Sequence, residues 1–90
     1  MLTLQEIEAH MVKLKDWDLD LNTLTKTTSF EDSTSVSAFV SKIIELSEDL
    51  QHYPEIIING KIIKLNLITK PENVLTKSDF DLAEAIDKLM

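Results

Sequence analysis

The chain has 90 residues and a net charge of −7, with no arginine and no cysteine. That length fits one domain over residues 1–90 and leaves no room for a second core. The missing cysteines exclude disulfides, thiolate metal sites and a Cys nucleophile, and the acidic, arginine-free composition excludes the basic stripe that nucleic-acid binding requires.

A chain this short buries only about 60–65% of its unfolded surface, so association through an edge strand or an apolar helix face is expected. The longest apolar runs, such as Ile56-Ile57-Ile58, are far too short to span a membrane, and no signal peptide is visible. The expectation is a soluble, cytoplasmic protein that binds neither membrane nor nucleic acid.

Thr3-Leu4-Gln5-Glu6 is a capping box and predicts a helix start. Leu4, Ile7, Met11 and Leu14 recur at helical spacing and mark its buried stripe, with His10 beside it as a half-exposed helix histidine. Asp16-Trp17-Asp18 ends this helix, and Trp17 is expected in the core with its indole N–H on a carbonyl. The alternation Asp18-Leu19-Asp20-Leu21 suggests a short strand, Asn22-Thr23 a turn, and the threonine-rich run Leu24 to Phe30 a second strand. Both strands are weakly specified and suit a sheet edge.

Asp32-Ser33-Thr34-Ser35 offers several N-caps. Val36, Phe39, Val40, Ile43, Ile44, Ser47 and Leu50 then trace one face of a helix of about four turns, the strongest periodic signal in the chain. Its last turns carry Glu45, Glu48 and Asp49, where the macrodipole disfavours anions by roughly 0.3–1 kcal/mol each. A broken local rule of this kind can mark a functional site.

Tyr53-Pro54 stops the helix, because the residue before proline avoids the α region. Glu55 to Ile58 reads as a strand, Asn59-Gly60 as a hairpin turn, and Lys61 to Thr69 as the returning strand, with Ile63, Leu65 and Leu67 facing in. Lys70-Pro71-Glu72-Asn73 is a loop. Thr76-Lys77-Ser78-Asp79 caps a last helix that buries Phe80, Ala83 and Ile86. The order α-β-β-α-β-β-α with short connections predicts an α+β fold: one four-stranded antiparallel sheet with three helices on one face.

His52 is the histidine in a suggestive place. It lies at a helix C-terminus, where partial negative charge accumulates, and one turn beyond Glu48. Both effects favour the imidazolium form that a general acid needs at neutral pH. The plainer reading is a histidine that caps helix carbonyls and does nothing else. Two distant histidines without cysteine do not make a zinc site, and no nucleophile-elbow motif or Gly-rich phosphate loop is present.

The junction Glu48, His52, Tyr53, Pro54, together with the "LTKSDFDLAEAID" segment that contains Asp79, resembles the pterin-4a-carbinolamine dehydratases over nearly the whole chain. The resemblance implies dehydration of 4a-hydroxytetrahydropterin to quinonoid dihydropterin, which recycles the pterin cofactor of aromatic amino-acid hydroxylases. It implies no metal or organic cofactor, and subunits that pair through sheet edges into dimers or dimers of dimers. His52 and Glu48 are the implied catalytic residues; Tyr53, Pro54, Lys70 and Asp79 are the implied substrate contacts. Three positions depart from the family pattern: Tyr53 and Lys70 stand where the family has further histidines, and Gly60 where it has a hairpin aromatic. Neither a phenol nor an ordinary ammonium is a good proton shuttle at neutral pH, so His52 alone carries the acid role over. The family also includes relatives that work as coactivator or assembly modules, and a non-catalytic module of that kind is the alternative.

Overall fold

A computed structural model describes residues 2–90. Its elements are α1 (Leu4–Met11), β1 (Asp18–Asp20), β2 (Thr23–Ser29), α2 (Ser33–Leu50), β3 (Glu55–Asn59), β4 (Ile62–Leu67) and α3 (Lys77–Asp87). The strands form one antiparallel sheet in the order β1-β2-β4-β3. The α+β architecture and its element order are those expected from the sequence.

The sheet is two-sided in its chemistry. Strand pairing aligns Leu24, Lys26 and Thr28 of β2 with Leu67, Leu65 and Ile63 of β4. Leu24, Ile63, Leu65 and Leu67 are fully buried and join Val36, Phe39 and Ile43 of α2 and Phe80, Leu82, Ala83 and Ile86 of α3 in one core. The helices therefore cover this face. The intervening residues, Thr25 paired with Asn66 and Thr27 with Lys64, occupy the other, polar face.

Several expectations change in three dimensions. The threonine-rich strand β2 is not at an edge: it pairs with both β1 and β4, and β1 and β3 form the edges. Thr23, Thr25 and Thr27 fill the uncovered face of this interior strand, where a β-branched polar residue suits the pleat without needing a core. Helix α1 stops at Met11, well before Trp17, so Leu14 reaches the core from a turn and Leu4 is exposed. Ile44 and Leu50 of the α2 stripe are also exposed, because only the centre of that stripe meets the sheet. The β3–β4 loop is Gly60-Lys61, since Asn59 pairs with Ile62. Gly60 has φ +64°, the conformation that a turn with glycine at its first central position demands.

Helix caps follow the sequence signals. Thr3 and Glu6 form a reciprocal capping box on α1. The Asp32 carboxylate accepts from the Ser35 N–H at 2.7 Å and starts α2. That bond holds the Asp32 carboxyl below its usual 3.8.

A polar knot ties the two ends of the chain together on the covered side. Lys26, 5% exposed, donates to Asp87 Oδ1 at 3.0 Å and to the Lys15 carbonyl at 2.6 Å. Trp17 is buried as expected, but its indole N–H goes to the Asp87 carboxylate at 2.8 Å rather than to a carbonyl. Lys15 N–H takes the other Asp87 oxygen at 2.9 Å. The turn after α1 is thereby fastened to the last residue of α3, and a lysine on the core face of an interior strand is satisfied.

Two outcomes are expected. Asp87→Ala strands Lys26 in a dry site and lowers unfolding stability in urea by about 3 kcal/mol; a loss well under 1 kcal/mol means the knot does not hold the fold. The Asp32 carboxyl is depressed in the folded chain, so its contribution is present above the unfolded value and is lost as pH falls through the lower folded value. The stability difference between the wild type and Asp32→Asn is therefore present at neutral pH and closes below pH 3.8, measured by thermal unfolding across pH.

Candidate functional site

The site begins at the C-terminus of α2. Gln51 takes the left-handed conformation, φ 53° and ψ 44°, just past the last helical residue. The Gln51 N–H bonds to the Glu48 carbonyl at 3.3 Å and the His52 N–H to the Ser47 carbonyl at 3.0 Å. These are the two bonds of a Schellman cap. Pro54 cannot extend the helix, so the chain leaves as β3. A non-glycine residue in the left-handed region costs about 1 kcal/mol, and here that strain fixes the direction in which His52 leaves the helix.

The His52 ring then meets α3. Its Nε2 lies 2.5 Å from Asp79 Oδ1, with the histidine side chain 15% exposed and the carboxylate 0%. A carboxylate only accepts, so Nε2 carries the proton and Nδ1 is left for other partners. Asp79 sits in the first turn of α3, where its Oδ2 accepts from the Thr76 N–H at 2.9 Å. It also accepts from the Thr69 hydroxyl at 2.7 Å. The buried carboxylate is thus met by a helix N-terminus, a hydroxyl and an imidazole, the hydrogen-bond partners that a desolvated carboxylate requires.

Beside the ring opens a cleft of about 710 Å³. One part of its wall is the α2–β3 junction, Gln51 to Glu55; another is Ile68, Thr69 and Lys70. The floor is the uncovered face of the sheet, with Asp20, Thr23, Lys64 and Asn66. The Asn66 amide donates to the Glu55 carboxylate at 2.8 Å across β3 and β4. The volume is that of an ordinary small-molecule site, and its lining mixes acids, lysines, amides and hydroxyls.

The structure therefore brings four of the six candidate residues to one cleft: His52, Tyr53, Pro54 and Lys70. Two stand elsewhere. Glu48 is exposed on α2 and makes no ion pair with His52, because the Schellman cap swings the ring away from the helix and toward α3. Asp79 is fully buried and does not line the cleft; its carboxylate meets the His52 imidazole. Trp17 belongs to the knot around Lys26, and His10 stacks on Phe80 at 4.7 Å between ring centroids, away from the cleft. Thr69, Asn66, Gln51 and Asp20 were not singled out from the sequence. No site motif marks them, since Asp20 and Asn66 enter through strand register, Thr69 through loop closure and Gln51 through the cap of α2.

The whole chain matches one known family. The family described as pterin 4 alpha carbinolamine dehydratase matches residues 1–89. The chain belongs to that family. A Trichormus variabilis protein provisionally named as a pterin-4-alpha-carbinolamine dehydratase is 36% identical over 84 residues, covering 93% of this chain and 90% of that one. A similarly named protein from Acidobacterium capsulatum is 35% identical over 89 residues, covering 99% and 97%. Among solved structures, a transcriptional coactivator/pterin dehydratase from Brucella melitensis superposes with a TM-score of 0.90 at 24% identity, covering 98% of this chain and 96% of that one. A pterin dehydratase-like RuBisCO assembly factor of the alpha-carboxysome superposes with a TM-score of 0.67 at 20% identity, covering 89% and 92%. At those identities the two structures establish a shared fold.

Nitrogen-detected NMR of the imidazole separates the two acids near His52. Asp79→Asn is expected to change the His52 tautomer population, while Glu48→Gln leaves it as in the wild type. The reverse pattern would put Glu48 back beside the ring.

Proposed function

We propose that this dehydratase-family protein removes water from 4a-hydroxytetrahydropterin to give quinonoid dihydropterin. The observation that carries this reading is a histidine that is held by a buried carboxylate and lines a cleft of small-molecule size. In the reaction the C4a–O bond breaks as His52 Nδ1–H delivers its proton to the departing hydroxyl, which leaves as water. The N5 proton passes to solvent in the open cleft, and the N5 electron pair forms the C4a=N5 double bond. Asp79 balances the charge of the protonated ring and keeps Nε2 occupied, so the acidic proton is the one on the cleft side. Tyr53, Pro54 and Lys70 contact the substrate from the cleft wall. No metal or organic cofactor takes part in this scheme.

Membership of the family supports a role in pterin recycling, with the hydroxylase product as substrate. Association through a sheet edge, as a dimer or tetramer, is part of the same proposal. Among the described residues the outer edge of β3 has no strand partner, and β3 carries Ile57 and Ile58, 45% and 53% exposed. The cytoplasm is the compartment that fits a cysteine-free chain.

One observation favours a second reading. Tyr53 and Lys70 occupy the positions of the family's other histidines, and both line the cleft with side chains that transfer protons poorly at neutral pH. A non-catalytic assembly or coactivator module would keep the fold and lose turnover. Titration calorimetry with a tetrahydropterin separates the two: saturable binding supports the enzyme, and no binding at millimolar ligand supports the module. In a dehydration assay His52→Ala is expected to lose about 10²–10⁴-fold in rate, whereas Lys70→Ala keeps most of it. Equal losses in the two variants would refute the single-acid scheme.

A further inference from the structure

The second oxygen of Asp79 anchors a chain of two hydroxyls, the first of which belongs to Thr69 in the cleft wall. Asp79 Oδ2 accepts from the Thr69 hydroxyl at 2.7 Å, and the Thr69 hydroxyl lies 2.8 Å from that of Thr76. A hydroxyl has one proton to give. Thr69 gives its proton to the carboxylate, so between the two threonines Thr76 donates and Thr69 accepts. The directions are then set throughout: Thr76 to Thr69, Thr69 to Asp79 Oδ2, and His52 Nε2–H to Asp79 Oδ1.

Thr69 also closes the loop that forms one wall of the cleft. Its N–H bonds to the Val74 carbonyl at 2.9 Å and its carbonyl accepts from the Val74 N–H at 3.2 Å. This isolated bridge pinches off Lys70 to Asn73. One residue thus holds the loop with its backbone and the buried carboxylate with its side chain, while lining the cleft beside His52.

We propose that Thr69 is a positioning residue that sets the orientation of the His52 ring by acting through Asp79. The proposal rests on His52 being the acid of the dehydration. The physical reason is rotational. Without the Thr69 hydroxyl, Oδ2 keeps one donor, the Thr76 N–H, and the carboxylate plane is free to turn about its Cβ–Cγ bond. The His52 ring has this carboxylate as its partner, so its Nδ1 turns with it. A general acid displaced by a fraction of an ångström from the leaving oxygen loses rate without losing ligand affinity.

The test compares Thr69→Val, which keeps the shape and removes the hydroxyl, with Thr69→Ser, which keeps the hydroxyl. Thr69→Val is expected to lower kcat for 4a-hydroxytetrahydropterin about tenfold with KM within about twofold. Its His52 Nε2–H proton resonance, held by the short bond to Asp79, is expected to be lost to solvent exchange. Thr69→Ser restores kcat and the resonance. If Thr69→Val does not fold by circular dichroism, Thr69→Cys replaces it, with a weak donor and the same expected direction. Unchanged kcat and an intact resonance overturn the proposal. A raised KM at constant kcat also overturns it, because Thr69 then touches ligand directly. A serine variant as slow as the valine variant overturns it too, because packing is then the cause. Should the wild-type protein bind no pterin and dehydrate none, the reading of His52 as an acid fails, and the resonance alone still decides whether Thr69 orients the ring.

Discussion

The contact between His52 and Asp79 is the constraint on which the site depends. It joins the end of α2 to the start of α3 across 27 residues, with a carboxylate that has no exposure to solvent. A buried carboxylate is costly unless every oxygen is met by a donor. The fold meets that demand by bringing three segments together. The first turn of α3 presents the Thr76 N–H, the end of the β4 arm presents the Thr69 hydroxyl, and the α2 cap presents the imidazole. Loss of any one leaves the anion short of a partner, so the same arrangement that orients the histidine also holds the two helices and the loop in register.

The cleft lies on the side of the sheet that the helices leave open. An antiparallel sheet can keep one face in the core and one in water. Here the helix side takes the leucines and isoleucines of β4, and the open side takes its lysine and asparagine. The α2–β3 junction and the Lys70 loop rise at one end of that open face and enclose it. The cleft thereby has a polar floor with an apolar layer behind it, and His52 lines it while its partner Asp79 stays buried.

A second polar group is buried on the covered side, and its role differs. Lys26 is enclosed by Asp87, the Lys15 carbonyl and the Trp17 ring, 5.5 Å from the ammonium to the ring centroid. The cleft borders none of these groups. This knot compensates for the early end of α1 by pinning the turn that follows it to the last turn of α3. Two carboxylates of α3, the buried Asp79 at its start and the part-buried Asp87 at its end, thus serve different tasks: one holds the His52 ring and the other fixes the chain.

Local rules in the sequence were enough for the elements and their order. Capping residues Thr3, Asp32 and Thr76 mark the helix starts, Pro54 marks the end of α2, and the alternation of Ile63, Leu65 and Leu67 assigns the buried face of β4. These signals act over a few residues and survive whatever the chain packs against. The junction motif around His52 lies where the structure opens a cleft. The identity of the histidine's partner was beyond local reach. Glu48 is the helical neighbour by spacing, but Gln51 turns left-handed and sends the ring to Asp79, whose distance in sequence carries no local signal. The interior place of β2, the open face of the sheet and the arrival of Thr69 beside the carboxylate were settled by strand order and long-range packing, because only the closed fold decides which desolvated groups must satisfy one another.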